Sequence, residues 1–349
     1  MPQPRVYLDH NATMPLRAEA RAAMIRAMDT VGNPSSVHAE GRIAKGMIER
    51  ARAQVAKAVG AQSADIVFTS GATEAAALAL HGRELRGSAI EHDAVGAWVD
   101  QSMAVDSEGL VTVTQPKMSV LQAANSETGV IQNLPQGLAL VDFTQAVGRI
   151  PVAFDWSGAE AGIISAHKFG GPKGVGALIL KRGTDIGGLL KGGGQEMGRR
   201  SGTENVIGIM GMGAAIEAAS KDLDSGRWDG IAEIRNILNL ALGSFAKETI
   251  FVGKGVRRLP NTSCFAVPGW KGETQVMQMD LAGFAISAGS ACSSGKVRSS
   301  RVLTAMGYDA VTAGSAIRVS LGLDTSQDDA ERFADAWRKQ YERFRARVA

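Results

Sequence analysis

The stretch SAHKFGGPKG, Ser165 to Gly174, decides how this chain is read. The apolar run Ile163–Ser165 predicts a strand that ends just before His167 and Lys168, and a Gly-Gly-Pro turn follows Phe169. A lysine at a strand end beside glycines can reach an aldehyde and form a Schiff base with it. Most lysines in such places are simply solvated, and these ten residues alone do not exclude that.

Two further strand ends lie upstream. In VDFTQ (141–145), Asp142 follows a predicted strand, where a carboxylate can keep a pyridine nitrogen protonated or can merely cap a helix. In TSGATE (69–74), a strand at Ile66–Thr69 gives way to a helix from about Thr73. Backbone N–H groups at such a helix start, with the hydroxyls beside them, make a phosphate cradle, although many glycine turns of this kind hold nothing. A cradle, a carboxylate and a lysine therefore follow one another at the ends of three strands.

The surrounding pattern supports a layered α/β fold. Residues 39–59 place Ile43, Met47, Ala51 and Val55 at i, i+4 spacing, with Gly60 as C-cap. Apolar runs near Ser88–Ile90, Val120–Ala124, Leu138–Val141 and Val175–Leu180 alternate with helical stretches, which predicts a mostly parallel sheet covered by helices. A long helix near Ile207–Ala219 marks a transition, and helices near 227–245, 298–306 and 327–345 then alternate with short strands. The expected organisation is a large domain over 15–215 and a smaller α+β domain over 1–14 and 216–349. The GIMGMG run (208–213) follows no strand, so close helix packing explains its glycines better than a dinucleotide loop.

Composition narrows the function classes. The 349 residues carry 38 Lys+Arg against 35 Asp+Glu, a net charge of +3 with no long basic run, so no nucleic-acid partner is expected. No apolar stretch reaches the ~18 residues of a membrane span, and MPQPRVYLDHNAT has no signal-peptide core, so no membrane association and a cytoplasmic location are expected. Two cysteines, Cys264 and Cys292, lack metal-ligand spacing, and neither a structural disulfide nor a metal site is expected. Cys264 has bulky neighbours in Phe265 and Val267, as a core thiol does. Cys292 sits in SAGSACSSG, small residues that cannot pack a core, followed by the cations of GKVR that could lower its pKa. It reads either as a mobile reactive thiol or as an incidental loop cysteine.

Taken together, LDHNAT (8–13), GNPSSVH (32–38), TSGATE, EH (91–92), VDFTQAVG, SAHKFGGPKG, RRSGTEN (199–205), LPNTS (259–263), GSACSSG (289–295) and AIRVSLG (316–322) resemble the cysteine desulfurase family, in the group with the longer cysteine loop. The matches span nearly the whole chain in the family's order. The resemblance implies the pyridoxal-phosphate-dependent transferase fold of type I, and an enzyme that converts L-cysteine to L-alanine while moving sulfur onto Cys292 as a persulfide. It implies that Lys168 carries the cofactor as a Schiff base and later removes the substrate Cα proton. Asp142 would pair with the pyridine nitrogen, Gln145 with the ring oxygen, and His92 would stack on the ring. Ala72, Thr73, Ser165 and His167 would hold the phosphate, with Thr203 reaching in from the second subunit of a homodimer. Arg318, helped by Asn33 and Ser126, would bind the substrate carboxylate. The sulfur would pass to an acceptor or scaffold protein for iron–sulfur cluster assembly or a related thiolation.

Some positions depart from the family's pattern. Ser126 stands where asparagine is usual, Met197 where arginine is usual, and SSRVL (299–303) replaces Pro-Ser-His/Tyr-Val-Leu. Gly129 to Leu138 leaves no room for a crossover helix, and the His92–Asn125 segment is also compressed. Two surface helices are expected to be missing, baring apolar surface that either binds a protein partner or repacks locally. Other class V enzymes, a selenocysteine lyase or an aminotransferase, remain alternatives, as does a scaffold subunit that binds cofactor without turnover. An aminotransferase would not need Cys292.

Overall fold

The computed structural model describes residues 4–289 and 299–348. The large sheet is built from β2 (Ala64–Thr69), β5 (Val120–Gln122), β6 (Leu140–Asp142), β7 (Ala161–Ser165) and β8 (Gly176–Lys181), preceded in the chain by a short β1 (Val6–Tyr7). Its order is β2-β8-β7-β6-β5. Strands β5, β6 and β7 run parallel, and β8 alone is reversed, antiparallel to both of its neighbours. A parallel pair, β3 (Arg86–Ser88) with β4 (Asp100–Met103), adjoins β5 through an Arg86–Ser119 bridge.

Every residue of β5, β6 and β7 is buried. Both faces of the sheet are therefore covered, which is why these strands read as continuous apolar runs rather than alternating ones. The period of two survives in three dimensions. Phe68, Val141, Ile164 and Ile179 pack on one face with Ile48, Val55, Met212 and Ile216, while Val67, Leu140, Ile163 and Leu178 pack on the other with Leu78 and Leu80.

On the first face lie the helices Ala18–Met28, Ala39–Ala58 and Val206–Asp224. The GIMGMG glycines admit this packing. A Cβ on Gly208 would lie 2.4 Å from Val175, one on Gly211 2.7 Å from Met24, and one on Gly213 2.9 Å from the Cβ of Ala51. The helix expected at 39–59 forms, with Gly60 in the left-handed region (φ 61°) directly after its C-cap. Its buried face is rotated from the expected one. Gly41, Ala44, Ile48, Ala51 and Val55 are buried, whereas Ile43 is 57% exposed, because the small residues Gly41 and Ala44 allow the closer approach.

The second sheet, order β12-β13-β10-β9, is antiparallel throughout and comprises β9 (Ile250–Phe251), β10 (Thr262–Ala266), β12 (Ser287–Ala288) and β13 (Ala316–Ser320). An aromatic core of Phe265, Trp270, Phe333, Trp337 and Tyr341 fills the space between this sheet and the helices Arg227–Phe245 and Gln327–Val348. The N-terminus joins it: β1 pairs with β11 (Phe284–Ala285), Leu8 is fully buried in the same cluster, and Asp9 bridges to Ser320. The helix Val206–Asp224 runs across the expected 215/216 boundary, and Ile216 and Ala219 still pack with the large sheet. We propose that the division falls after Asp224.

Other boundaries shift by a few residues. The third strand is Arg86–Ser88 rather than 88–90, and the helix expected at 298–306 is Arg301–Ala305. Residues 129–139 contain no helix, so the parallel connection from β5 to β6 is made by extended chain and turns. Met118 (44% exposed) and Trp156 (83%) flank that connection. No helix among the described residues is long and apolar enough to cross a membrane.

Candidate active site

The three sequence elements meet because of strand register. Gly176 at the start of β8 pairs with Ser165 on one side and with Thr69 on the other. That sets the SAHK turn beside the TSGATE turn at one edge of the sheet. A Cβ on residue 176 would lie 2.6 Å from the Cα of Gly71 and 2.7 Å from the carbonyl of Ile164, so only glycine permits the approach. On the other flank Asp142 pairs with both Gln122 and Ile163. The edge is the C-terminal one of β5, β6 and β7, where open α/β sheets bind ligands.

There a cavity of about 470 Å³ is lined by Ser70, Gly71, Ala72, Thr73, His92, Ser126, Asp142, Gln145, Ser165, His167 and Lys168, together with Ala12, Thr13, Gln122 and Lys173. Such a volume is usual for a small-molecule site, and its convergent polar groups are the expected feature of one. A larger groove of about 750 Å³ lies elsewhere, around the Arg52–Glu196 ion pair, and contains none of the expected catalytic groups.

Each side chain in the cavity has a local reason for its place. Gly71 caps the helix Ala72–Leu80, whose first turn, with its N–H groups beyond the reach of intrahelical acceptors, lines the cavity. The turn is braced by Thr69, which donates to the Gly71 carbonyl (2.9 Å), and by Glu74, which accepts from the Ser70 N–H (2.8 Å) and from Arg200. Asp142 accepts from the Thr144 N–H (2.8 Å), capping a turn rather than the helix its position allowed. His92 Nδ1 accepts from the Ala94 N–H (3.1 Å), which leaves the proton of the neutral ring on Nε2. His167 contacts the Thr13 hydroxyl through Nδ1 (3.2 Å). Burial, reinforced by the charges of Lys168 and Lys173, lowers its pKa to about 4, so it is neutral at pH 7.

Lys168 Nζ donates to the carbonyls of Asn11 (2.8 Å) and Ala12 (2.9 Å). The N-terminal segment is thus a wall of the cavity, a role that sequence reasoning missed although LDHNAT was among the segments it singled out. Asn11 is fastened in turn by its own amide to Thr262 (2.9 Å) and to the Ser126 carbonyl (3.2 Å). Beneath the cavity, Glu91 is fully buried, and desolvation with the nearby Asp142 charge raises its pKa to about 8.

Not every expected residue reaches the cavity. Arg318 is buried and does not line it: one Nη donates to the Ser126 carbonyl (2.9 Å) and the other pairs with Asp9 (2.7 Å). Ser126 itself does line it. Thr203 lines a separate recess of about 180 Å³ that shares Ser70 and Gly174 with the main cavity. Asn33 is exposed and lies outside the cavity of its own chain, its side-chain oxygen accepting from the Ser35 N–H (2.9 Å). Cys292 lies outside the described residues.

Comparison with known proteins identifies the family. The aminotransferase class-V family model matches residues 6–333. The chain is 37% identical to the cysteine desulfurase IscS of Dictyoglomus turgidum, covering 97% of this chain and 95% of that protein. It is 38% identical to a cysteine desulfurase of Klebsiella pneumoniae, covering 93% and 90%. In three dimensions it is similar to a NifS-like protein of Rickettsia africae, with a TM-score of 0.88, 32% identity, and coverage of 97% of this chain and 99% of that one. With family, fold and strand-end chemistry in agreement, the chain belongs to the aminotransferase class-V family and, within it, to the cysteine desulfurases.

Proposed function

We propose that the protein is a pyridoxal-phosphate-dependent cysteine desulfurase. It takes sulfur from L-cysteine, releases L-alanine and carries the sulfur on Cys292 as a persulfide, for iron–sulfur cluster assembly or a related thiolation. The observation that carries this reading is the convergence of Lys168, Asp142, His92 and the Gly71–Thr73 helix start on one cavity.

The cavity's donor set fits pyridoxal phosphate: an amine for the aldehyde, a carboxylate for the ring nitrogen, and a helix start with hydroxyls for the phosphate. When bound, the ring supplies an electron sink for charge developing at the substrate Cα. Lys168 anchors the aldehyde, and the Asn11 and Ala12 carbonyls hold its Nζ at the cavity wall, where it can take up and return a proton. Asp142 would keep the ring nitrogen protonated, and Gln145 would face the ring oxygen. His92 would cover the ring, with the proton of its neutral form on Nε2. Ala72, Thr73, Ser165 and neutral His167 hold the phosphate, with Thr203 contributed by the second subunit of a homodimer.

For the substrate carboxylate the reading keeps Arg318 and Ser126, with Arg318 acting through the N–H groups that Asp9 and the Ser126 carbonyl leave over. Asn33 is withdrawn from this set, since its side chain is exposed and turned to its own loop, where it accepts from the Ser35 N–H. The reading also requires a sulfur-acceptor or scaffold protein.

The test is to add L-cysteine to the protein reconstituted with pyridoxal phosphate. Alanine should appear, with one sulfur atom added to the peptide containing Cys292. Lys168→Ala should abolish both, and Cys292→Ala should abolish the sulfur gain. A visible cofactor band without alanine would mark a non-catalytic scaffold. Turnover that survives Cys292→Ala unchanged would mark a different class-V activity.

A further inference from the structure

Arg149 is a guanidinium sealed in the interior, 2% exposed, and no carboxylate lies within ion-pair distance of it among the described residues. Isolated buried cations are costly, and usually either pair or serve a purpose. Its bonds go to a single neighbourhood. Nη1 donates to the backbone carbonyl (3.0 Å) and the side-chain Oε1 (2.8 Å) of Gln145, and Nη2 donates to the His10 carbonyl (3.2 Å). Gln145 Nε2 then donates to the Asn11 carbonyl (3.0 Å), the same oxygen that accepts from Lys168 Nζ.

We infer that Arg149 is a positioning residue that fixes the polarity of the Gln145 amide, turning its N–H₂ end to the cavity. The inference rests on the pyridoxal-phosphate reading given above. A primary amide has two ends of nearly equal shape but opposite hydrogen-bonding sense. Arginine can only donate, so it admits only the oxygen end of Gln145 and leaves the N–H₂ end for Asn11 and the cavity. Gln145 therefore meets an anionic ring oxygen as a donor. Without Arg149 the amide could reverse and present an acceptor to that anion, a mismatch of sign rather than a loss of packing. The Arg149 charge acts in the same direction, because it lies behind the same wall.

Other charges face this region and are unchanged by substitution at 149. They are Asp9 on the N-terminal segment, Asp142 at the end of β6, Lys168 and Lys173 after β7, and Arg318 on β13. His10, His92 and His167 are the titratable rings nearby, and Arg149 helps to hold His10 and His167 neutral.

The experiment compares holoenzymes of the wild type, Arg149→Met and Arg149→Lys, reading the pH midpoint of the visible cofactor band and the dissociation constant for pyridoxal phosphate. Removing a cation, and a donor, from an imine–phenolate pair raises the imine's proton affinity. Arg149→Met should therefore move the midpoint up by about one pH unit and weaken cofactor binding about tenfold. Arg149→Lys, which restores a donor-only cation, should return both close to wild type. An unchanged midpoint in folded Arg149→Met, or equal displacement in Arg149→Lys and Arg149→Met, overturns the inference. If Arg149→Met does not fold, the polar but uncharged Arg149→Gln decides: it should raise the midpoint by a similar amount, and an unchanged midpoint overturns the inference. Failure of the cofactor reading itself is distinguishable, because the wild type would then show no visible band.

Discussion

Replacing Gly176 by alanine tests whether the catalytic edge depends on one close approach. The added methyl would lie 2.6 Å from the Gly71 Cα, 2.7 Å from the Gly71 carbonyl carbon and 2.7 Å from the Ile164 carbonyl oxygen. All three atoms are backbone, so no side chain can swing aside, and strand or turn must recede by roughly half an ångström. Overpacking of this kind costs about 1–3 kcal/mol, and backbone on every side argues for the upper end. At ~2 °C or more per kcal/mol for a chain of this size, the melting temperature should fall by about 6 °C. Because the displaced turn is the proposed phosphate cradle, affinity for pyridoxal phosphate should also fall about tenfold, equivalent to one ordinary hydrogen bond. The control is Gly46→Ala in the helix Ala39–Ala58, where an added Cβ meets nothing within 4 Å. There the same change should stabilise by about 0.5–1 kcal/mol through helix propensity and a less free unfolded chain. Thermal melts with cofactor titrations measure both. A Gly176→Ala protein that melts and binds cofactor like wild type would refute the claim that β8 presses on the cradle.

Three further outcomes are expected. The folded-state pKa of Glu91 is raised to about 8 by burial and the Asp142 charge. Its contribution to stability is thus complete below the unfolded value near 4.5 and is lost as pH climbs to 8, so Glu91→Gln should flatten that decline by on the order of 5 kcal/mol in denaturation curves taken across that range. His10 is depressed to about 4, chiefly by burial and then by Arg149, so its contribution is complete above the unfolded value near 6.5 and is lost as pH falls towards 4. His10→Asn should remove roughly 3 kcal/mol of that acid-side slope, and an unaltered acid limb would show that His10 is not the group responsible. Glu196, its side chain only 2% exposed, accepts from both Arg52 Nη groups (2.8 and 3.0 Å) and from the Phe68 N–H. Glu196→Ala leaves that guanidinium only the half-exposed Glu49 (3.2 Å) as counter-ion and strips the Phe68 N–H of its acceptor, which should cost about 3 kcal/mol by urea denaturation, and a loss below 1 kcal/mol would mean that Glu49 and solvent already compensate the charge.

The sequence by itself carried the chemistry and most of the architecture, because both are written in short-range signals. Strand ends at Asp142 and Ser165, the glycine turn before Thr73 and the C-cap at Gly60 follow from turn and cap rules that act over a few residues. Apolar runs in β5 to β8 follow from burial on both faces. Tertiary structure alone decided which distant groups share a wall. Asn11 and Ala12 receive Lys168 across more than 150 residues, and Asp9 captures Arg318 across more than 300. The same packing left Asn33 and Thr203 outside their own chain's cavity and turned Ile43 outward. Helix faces and long-range polar pairs are chosen by which surfaces fit together and which buried donors find acceptors, and neither has a local sequence period to read.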